Sequence, residues 1–127
     1  MAQWNMAAGW TGMIFGLLSG AVIGLFFHQE SFAGGYASFR RRMMRLGHVS
    51  FFGLGIINVI FSLTLTTTSV VLSYPTVAST SLIAAAVLMP AVCFLTAWKK
   101  SFRHIFALPV ACVAITLILL LKGIVQP

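Results

Sequence analysis

The sequence predicts an all-α integral membrane protein, a four-helix bundle forming one transmembrane domain over residues 1–127. Three observations predict it. The chain is 60% hydrophobic and 7% charged, whereas soluble domains carry about 25% charged residues. Its mean hydropathy is +1.03. Charge is also missing from runs long enough to cross a bilayer: residues 1–27 hold no charged side chain, and residues 46–98 hold none apart from any charge on His48. Such a chain cannot cover a water-facing surface, so its solvent is lipid.

The first helix is expected over residues 8–28. The opening "MAQWNMAAGW" has no basic n-region, and no cleavage site is evident after it, so this segment reads as a retained membrane helix rather than a signal peptide. Gly12, Gly16, Gly20 and Gly24 recur every four residues along it. In lipid, helices associate through close backbone packing, and overlapping GxxxG units mark a face built for it. The partner of that face is helix 2 or 4 of this chain, or a helix of another protein.

Residues 29–45, "QESFAGGYASFRRRMMR", form the long loop, broken at Gly34 and Gly35. Its second half suits an amphipathic extension of the next helix, with Arg40, Arg41 and Arg42 at lipid phosphates or a docked partner. The apolar run from 46 to 98 is too long for one span of about 20 residues. The turn signal "SYPT" at 73–76 splits it into helices at 46–72 and 76–98. Asn58, Ser62, Thr66 and Ser69 follow one another at spacings of four, four and three, a polar stripe along helix 2. Thr76, Ser79, Thr80 and Ser81 answer it from helix 3. Lys99 and Lys100 sit in the second basic loop, 99–103, and are also expected to dock lipid or a partner. The fourth helix, 103–122, is of near-minimum length, with Arg103 and Lys122 able to snorkel at its ends. Pro90 and Pro109 are expected to kink or loosen helices 3 and 4.

The net charge is +7, with Glu30 the only acidic side chain. Both basic loops follow odd-numbered helices, so they share one side of the membrane. The positive-inside rule makes that side the cytoplasm, with both termini opposite, as in a multi-pass protein of a bacterial inner membrane. Clusters placed this way argue against a nucleic-acid partner. Cys93 and Cys112 form no CxxC or zinc spacing and read as small packing residues.

His28, His48 and His104 all fall at the cytoplasmic boundary of this topology. Histidines from different helices can serve as axial ligands of a haem b, and Arg45 and Arg103 are placed to meet its propionates. The plainer alternative is three interfacial histidines; no carboxylate or thiol completes a metal site. The stretch "RLGHVSFFGLGIIN", residues 45–58, resembles the helix of haem–copper oxidase subunit I in which Arg-Leu precedes a haem-ligating histidine and glycine and asparagine follow. The resemblance implies that His48 is an axial ligand. It covers one helix, and so implies a haem-binding helix rather than oxygen reduction.

No paired carboxylates, nucleophile–base motif or phosphate loop point to catalysis by this chain alone. Three functions are consistent with the residues. The first is an accessory subunit of a larger energy-transducing complex, respiratory or photosynthetic, docking through the basic loops and the glycine face and bathed in membrane lipid. The second is a b-type haem protein using His48 with His104 or His28. The third is a small transporter or channel built on the polar stripe.

Overall fold

A computed structural model describes residues 1–125. It consists of four helices, α1 (Ala2–Phe27), α2 (Phe39–Thr67), α3 (Pro75–Trp98) and α4 (Ala107–Val125), with 3₁₀ turns at Phe32–Gly34 and Lys100–Phe106. Among the described residues there is no strand. All four spans are long and apolar enough to cross a membrane, consistent with a multi-pass membrane protein. Their outward faces carry large apolar side chains such as Leu17, Leu25, Val87 and Leu121.

The most extensive packing is between α1 and α2. Among the residues of α2 that reach α1 or its end, Arg41, His48, Gly55 and Ser62 recur every seven positions, with Phe51, Phe52 and Asn58 between them. On α1, Ala2, Gly9, Gly16 and Ile23 recur at the same interval, and the last three are buried. A seven-residue repeat holds one seam between two helices that wind slightly around each other. The hairpin is antiparallel: the Ser62 hydroxyl donates to the Ala2 carbonyl at 2.7 Å, Gly9 meets Gly55, and Ser19 meets His48. The backbones come closest at the glycine pair, where a Cβ built on Gly9 would lie 2.6 Å from the Gly55 carbonyl oxygen and one on Gly55 2.8 Å from that of Gly9.

α3 lies at the centre and packs on α1, α2 and α4. Ala78, Leu82, Ala85 and Cys93 are fully buried along it. Phe61 and Leu72 join Ala78 and Leu82 in one cluster, and Leu54 joins Ala85 and Ala86 in another. α4 closes both clusters with Leu119, Leu120, Cys112 and Val113. α1 and α4 are the outer helices on either side of α3, and most of their surface remains uncovered.

Several boundaries differ from those expected, each for a local reason. α1 starts at Ala2 rather than near 8, because Asn5 and Gly9 are part of its packing face. α2 begins at Phe39, with Ser38 as its N-cap accepting from the Arg41 N–H at 3.2 Å, so the arginines form its first turns. It ends at Thr67 rather than 72. The hydroxyls of Thr66, Thr67 and Thr68 bond back to carbonyls of the last turn at 3.0, 2.7 and 2.6 Å. They share carbonyls with the helix's own N–H groups, as the Thr64 carbonyl also accepts from the Thr68 N–H at 3.1 Å, and so reinforce the last turn. The chain then runs extended from Thr68, and Val70 and Val71 close over Gly123 of α4. α4 starts at Ala107 after the 3₁₀ turn. Pro109 therefore sits in a first turn, where its missing N–H breaks no helical bond. Pro90 lies buried within a continuous α3.

Candidate functional site

Two polar constellations stand out, one at each end of the bundle. At the end bearing the N-terminus, Asn5, Asn58 and Ser79 meet across α1, α2 and α3, all buried. The Asn5 amide donates to Asn58 Oδ1 at 2.8 Å and to the Ser79 carbonyl at 3.4 Å. The Ser79 hydroxyl donates in return to Asn5 Oδ1. Asn58 Nδ2 donates to the Leu54 and Leu82 carbonyls at 2.9 and 3.4 Å. Thr116 of α4 extends the pattern, its hydroxyl donating to the Ala78 carbonyl at 2.8 Å. Each amide thus spends its donors and acceptor inside the protein, which is the condition for burying an amide away from water. Thr96 of α3 is the exception among the described residues, a buried hydroxyl with no partner.

The expected stripe does not extend past this node. Asn58 and Ser62 face the helices, but Thr66 is exposed and bonded to its own helix, and Ser69 is exposed in the α2–α3 linker. A spacing of four advances about 40° around a helix at each step, so three such positions rotate off a common face. The same drift separates the glycines. Gly12 and Gly16 meet Phe51 and Phe52 of α2, and Gly20 meets His48. Gly24, about 120° round from Gly12, faces open space. The partner of the glycine face is thus α2 of this chain, and three of its four glycines are covered. Gly9, not anticipated, makes the closest contact.

At the basic end, Arg41 is 1% exposed. Its Nε donates to the Phe32 carbonyl at 2.7 Å, Nη1 to that of Phe27 at 3.3 Å, and Nη2 to those of Gln29 and, at 3.2 Å, Glu30. The guanidinium also lies 4.8 Å from the centroid of the Phe27 ring. A planar cation thereby satisfies the Phe27 carbonyl left open at the C-terminus of α1 and that of Glu30 in the loop, and adds a second donor to those of Gln29 and Phe32; the helix dipole also favours positive charge here. Arg41 is therefore not available to lipid or a partner, unlike its exposed neighbours Arg40 and Arg42. The loop it grips turns through three residues with positive φ: Ala33 at 54°, Gly34 at 87° and Gly35 at 93°. Ser38 holds the turn by donating to the Ala33 carbonyl at 2.7 Å. Arg45 stacks on Tyr36, 4.7 Å from the ring centroid, and donates to its carbonyl at 3.3 Å. Lys99, Lys100 and Arg103 are exposed on the second loop.

The histidines are placed differently from one another. His28 caps α1 and is exposed, and His104 is exposed in the 3₁₀ turn. His48 alone is wedged between helices: its Nδ1 lies 3.2 Å from the Ser19 hydroxyl, and its ring meets Phe52 edge-on at 5.5 Å. Its Cε1 would lie 2.5 Å from a Cβ on Gly20. The space beside the glycines that flank His48 is taken by the chain itself: Gly47 meets Cys93 and Phe94, and Gly55 meets α1. Among the described residues, no three His, Cys, Asp or Glu side chains gather as a metal site.

One feature lay beyond sequence reasoning. Where α1 and α3 diverge, a cavity of about 530 Å³ opens over Phe51 of α2, between Ala8, Thr11 and Phe15 on one wall and Ala86 and Ala91 on the other. It depends on the splay of two helices far apart in sequence. Compared with family models, with curated proteins and with solved structures, the chain matches none.

Proposed function

We propose that this chain is a small integral-membrane accessory subunit of a larger energy-transducing complex, respiratory or photosynthetic. In this reading it lies in a bacterial inner membrane with its basic loops in the cytoplasm and its termini opposite, as the positive-inside rule favours. The observation that carries the reading is the α1–α3 groove. Its lining sets small residues, Ala8, Thr11, Gly12 and Ala91, among the rings of Trp4, Phe15 and Phe94, and the small positions let a further transmembrane helix approach closely between the rings. Meanwhile the buried amides of the interior are paired within the chain, which favours a structural element over a solute path. The energy-transducing setting rests on the resemblance of residues 45–58.

Ala8→Trp, which fills the groove, should abolish co-purification of a larger membrane subunit while the isolated chain unfolds as before. Undiminished co-purification would remove the reading. Gly16→Leu makes the contrasting variant, because Gly16 lies against the Phe52 ring and its substitution should damage the α1–α2 hairpin itself.

A second reading, a haem b on His48, has one observation in its favour: Ser19 and Phe52 fix the imidazole, as partners of a ligating histidine do. It requires a reducible Soret band in the purified native protein that His48→Ala eliminates; a colourless protein sinks it.

A further inference from the structure

The two basic loops are separate in sequence and adjacent in space. Between them lies a second cavity, of about 310 Å³. Gly34, Ser38 and Arg40 of the first loop and the first turn of α2 form one side, and Trp98 and Lys100 at the end of α3 form the other. Arg40 and Lys100 are both exposed, and the chain offers eight basic side chains against the single acid Glu30. Lys100 is not free to swing away: its Nζ lies 5.2 Å from the centroid of the Phe39 ring, a cation–π contact that keeps the ammonium at the cavity. Ser38 is spent on its own loop, so it shapes the cavity rather than binding in it.

Two cations held across one opening repel each other until an anion lies between them. Their location narrows what that anion is. The cavity sits at the end of the membrane-spanning helices, beside the exposed Trp98 indole, a side chain that favours the headgroup level. Phe39, Ala97 and Trp98 give it an apolar wall. Its occupant therefore combines an oxyanion with hydrocarbon. Basic pockets between transmembrane helices are suited to phospholipid headgroups.

We propose that this cavity binds the phosphate of an anionic phospholipid, with Arg40 and Lys100 as its two cationic ligands. The site is independent of the subunit reading above: it needs only that the chain lie in a bilayer. It also differs from diffuse attraction to a charged leaflet, because Arg42, exposed on the same turn of α2, lines no part of it.

The test is lipid retention. The protein is released from nanodiscs containing phosphatidylglycerol and phosphatidylcholine, and bound lipid is read by native mass spectrometry. The wild type should retain phosphatidylglycerol in preference to phosphatidylcholine. Arg40→Gln and Lys100→Gln should each lower retention roughly fivefold, and both together more than tenfold, while Arg42→Gln leaves it close to wild type. Excess inorganic phosphate should not displace the lipid. Equal retention of the two lipids, an equal loss in Arg42→Gln, or displacement by inorganic phosphate would each overturn the proposal. So would a wild type that retains no lipid, which would leave the cations to an acidic segment of a protein partner. The substituted side chains are exposed, and unchanged thermal unfolding of each variant separates lost binding from lost fold.

Discussion

The two ends of the bundle solve the same problem in different ways. Both bury polar groups in a chain whose four helices are long and apolar enough to cross a membrane. At the Asn5 end the partners are side chains on three helices, each amide answering another or a carbonyl of a neighbouring helix. At the Arg41 end one side chain answers four backbone carbonyls of a single irregular loop. The first arrangement ties helix to helix and specifies which faces meet. The second makes an irregular loop tolerable, because that loop's open carbonyls need donors. The stakes therefore differ. With Asn58 removed from the node, Asn5 and Ser79 still hold one another. A guanidinium removed from the loop leaves the Phe27 and Glu30 carbonyls without a donor, while those of Gln29 and Phe32 keep the N–H groups of Phe32 and Gly35 at 3.1 and 3.2 Å.

The largest expected effect follows from that asymmetry. Arg41→Ala should lower stability by about 3 kcal/mol, since it strips several hydrogen bonds from a charged donor at once. Arg41→Lys should recover only part of this, because an ammonium cannot span carbonyls that a planar fork reaches. Equilibrium unfolding in mixed detergent micelles measures both, and a harmless Arg41→Ala would break the comparison. Asn58→Leu comes next, at about 1 kcal/mol, the scale of interhelical hydrogen bonds in membranes. Pairing it with Asn5→Leu in a double-mutant cycle sharpens the contrast: coupling between the two asparagines is expected, and strict additivity would show that they act separately. Thr66→Val should change stability least, within about 0.5 kcal/mol, because its hydroxyl serves only its own helix. A larger loss in the same unfolding measurement would extend the node to a residue that lies outside it.

How much of this was legible before the structure depended on the length scale of the signal. Runs of apolar residues marked four spans, and α3 was located to within a residue of its start because the proline of "SYPT" opens it. The end of α2 was not legible. Hydropathy continues through Val70, Val71 and Leu72, while the helix stops where Thr68 turns to an extended backbone and the chain closes over Gly123. The glycines were read at a spacing of four, but helices that wind about each other repeat at seven. Gly9 and Gly16 share that interval and meet Gly55 and Phe52, Gly12 and Gly20 flank the seam, and Gly24 drops out. The same interval applied to α2 aligns Arg41 with His48, Gly55 and Ser62. It was therefore the available sign that one arginine of three points inward. Asn5 lay upstream of the expected helix, so its pairing with Asn58 was out of sight. The cavity that Arg40 and Lys100 both line, and the groove between α1 and α3, depend on how helices far apart in sequence splay. No local pattern encodes that.

The Asn5 node also sets an order of events during synthesis. Asn5 enters the bilayer with the first helix, but Asn58 lies 53 residues later and Ser79 74 residues later. At an elongation rate of about 5–20 residues per second, the first helix spends seconds in the membrane with an unanswered amide. The nascent α1–α2 hairpin then supplies the first partner and α3 the second. During that interval α1 remains able to pair its amide and its glycine face with whatever helix is nearest. Retention of α1 beside its exit site until α3 has emerged would spare it that mispairing.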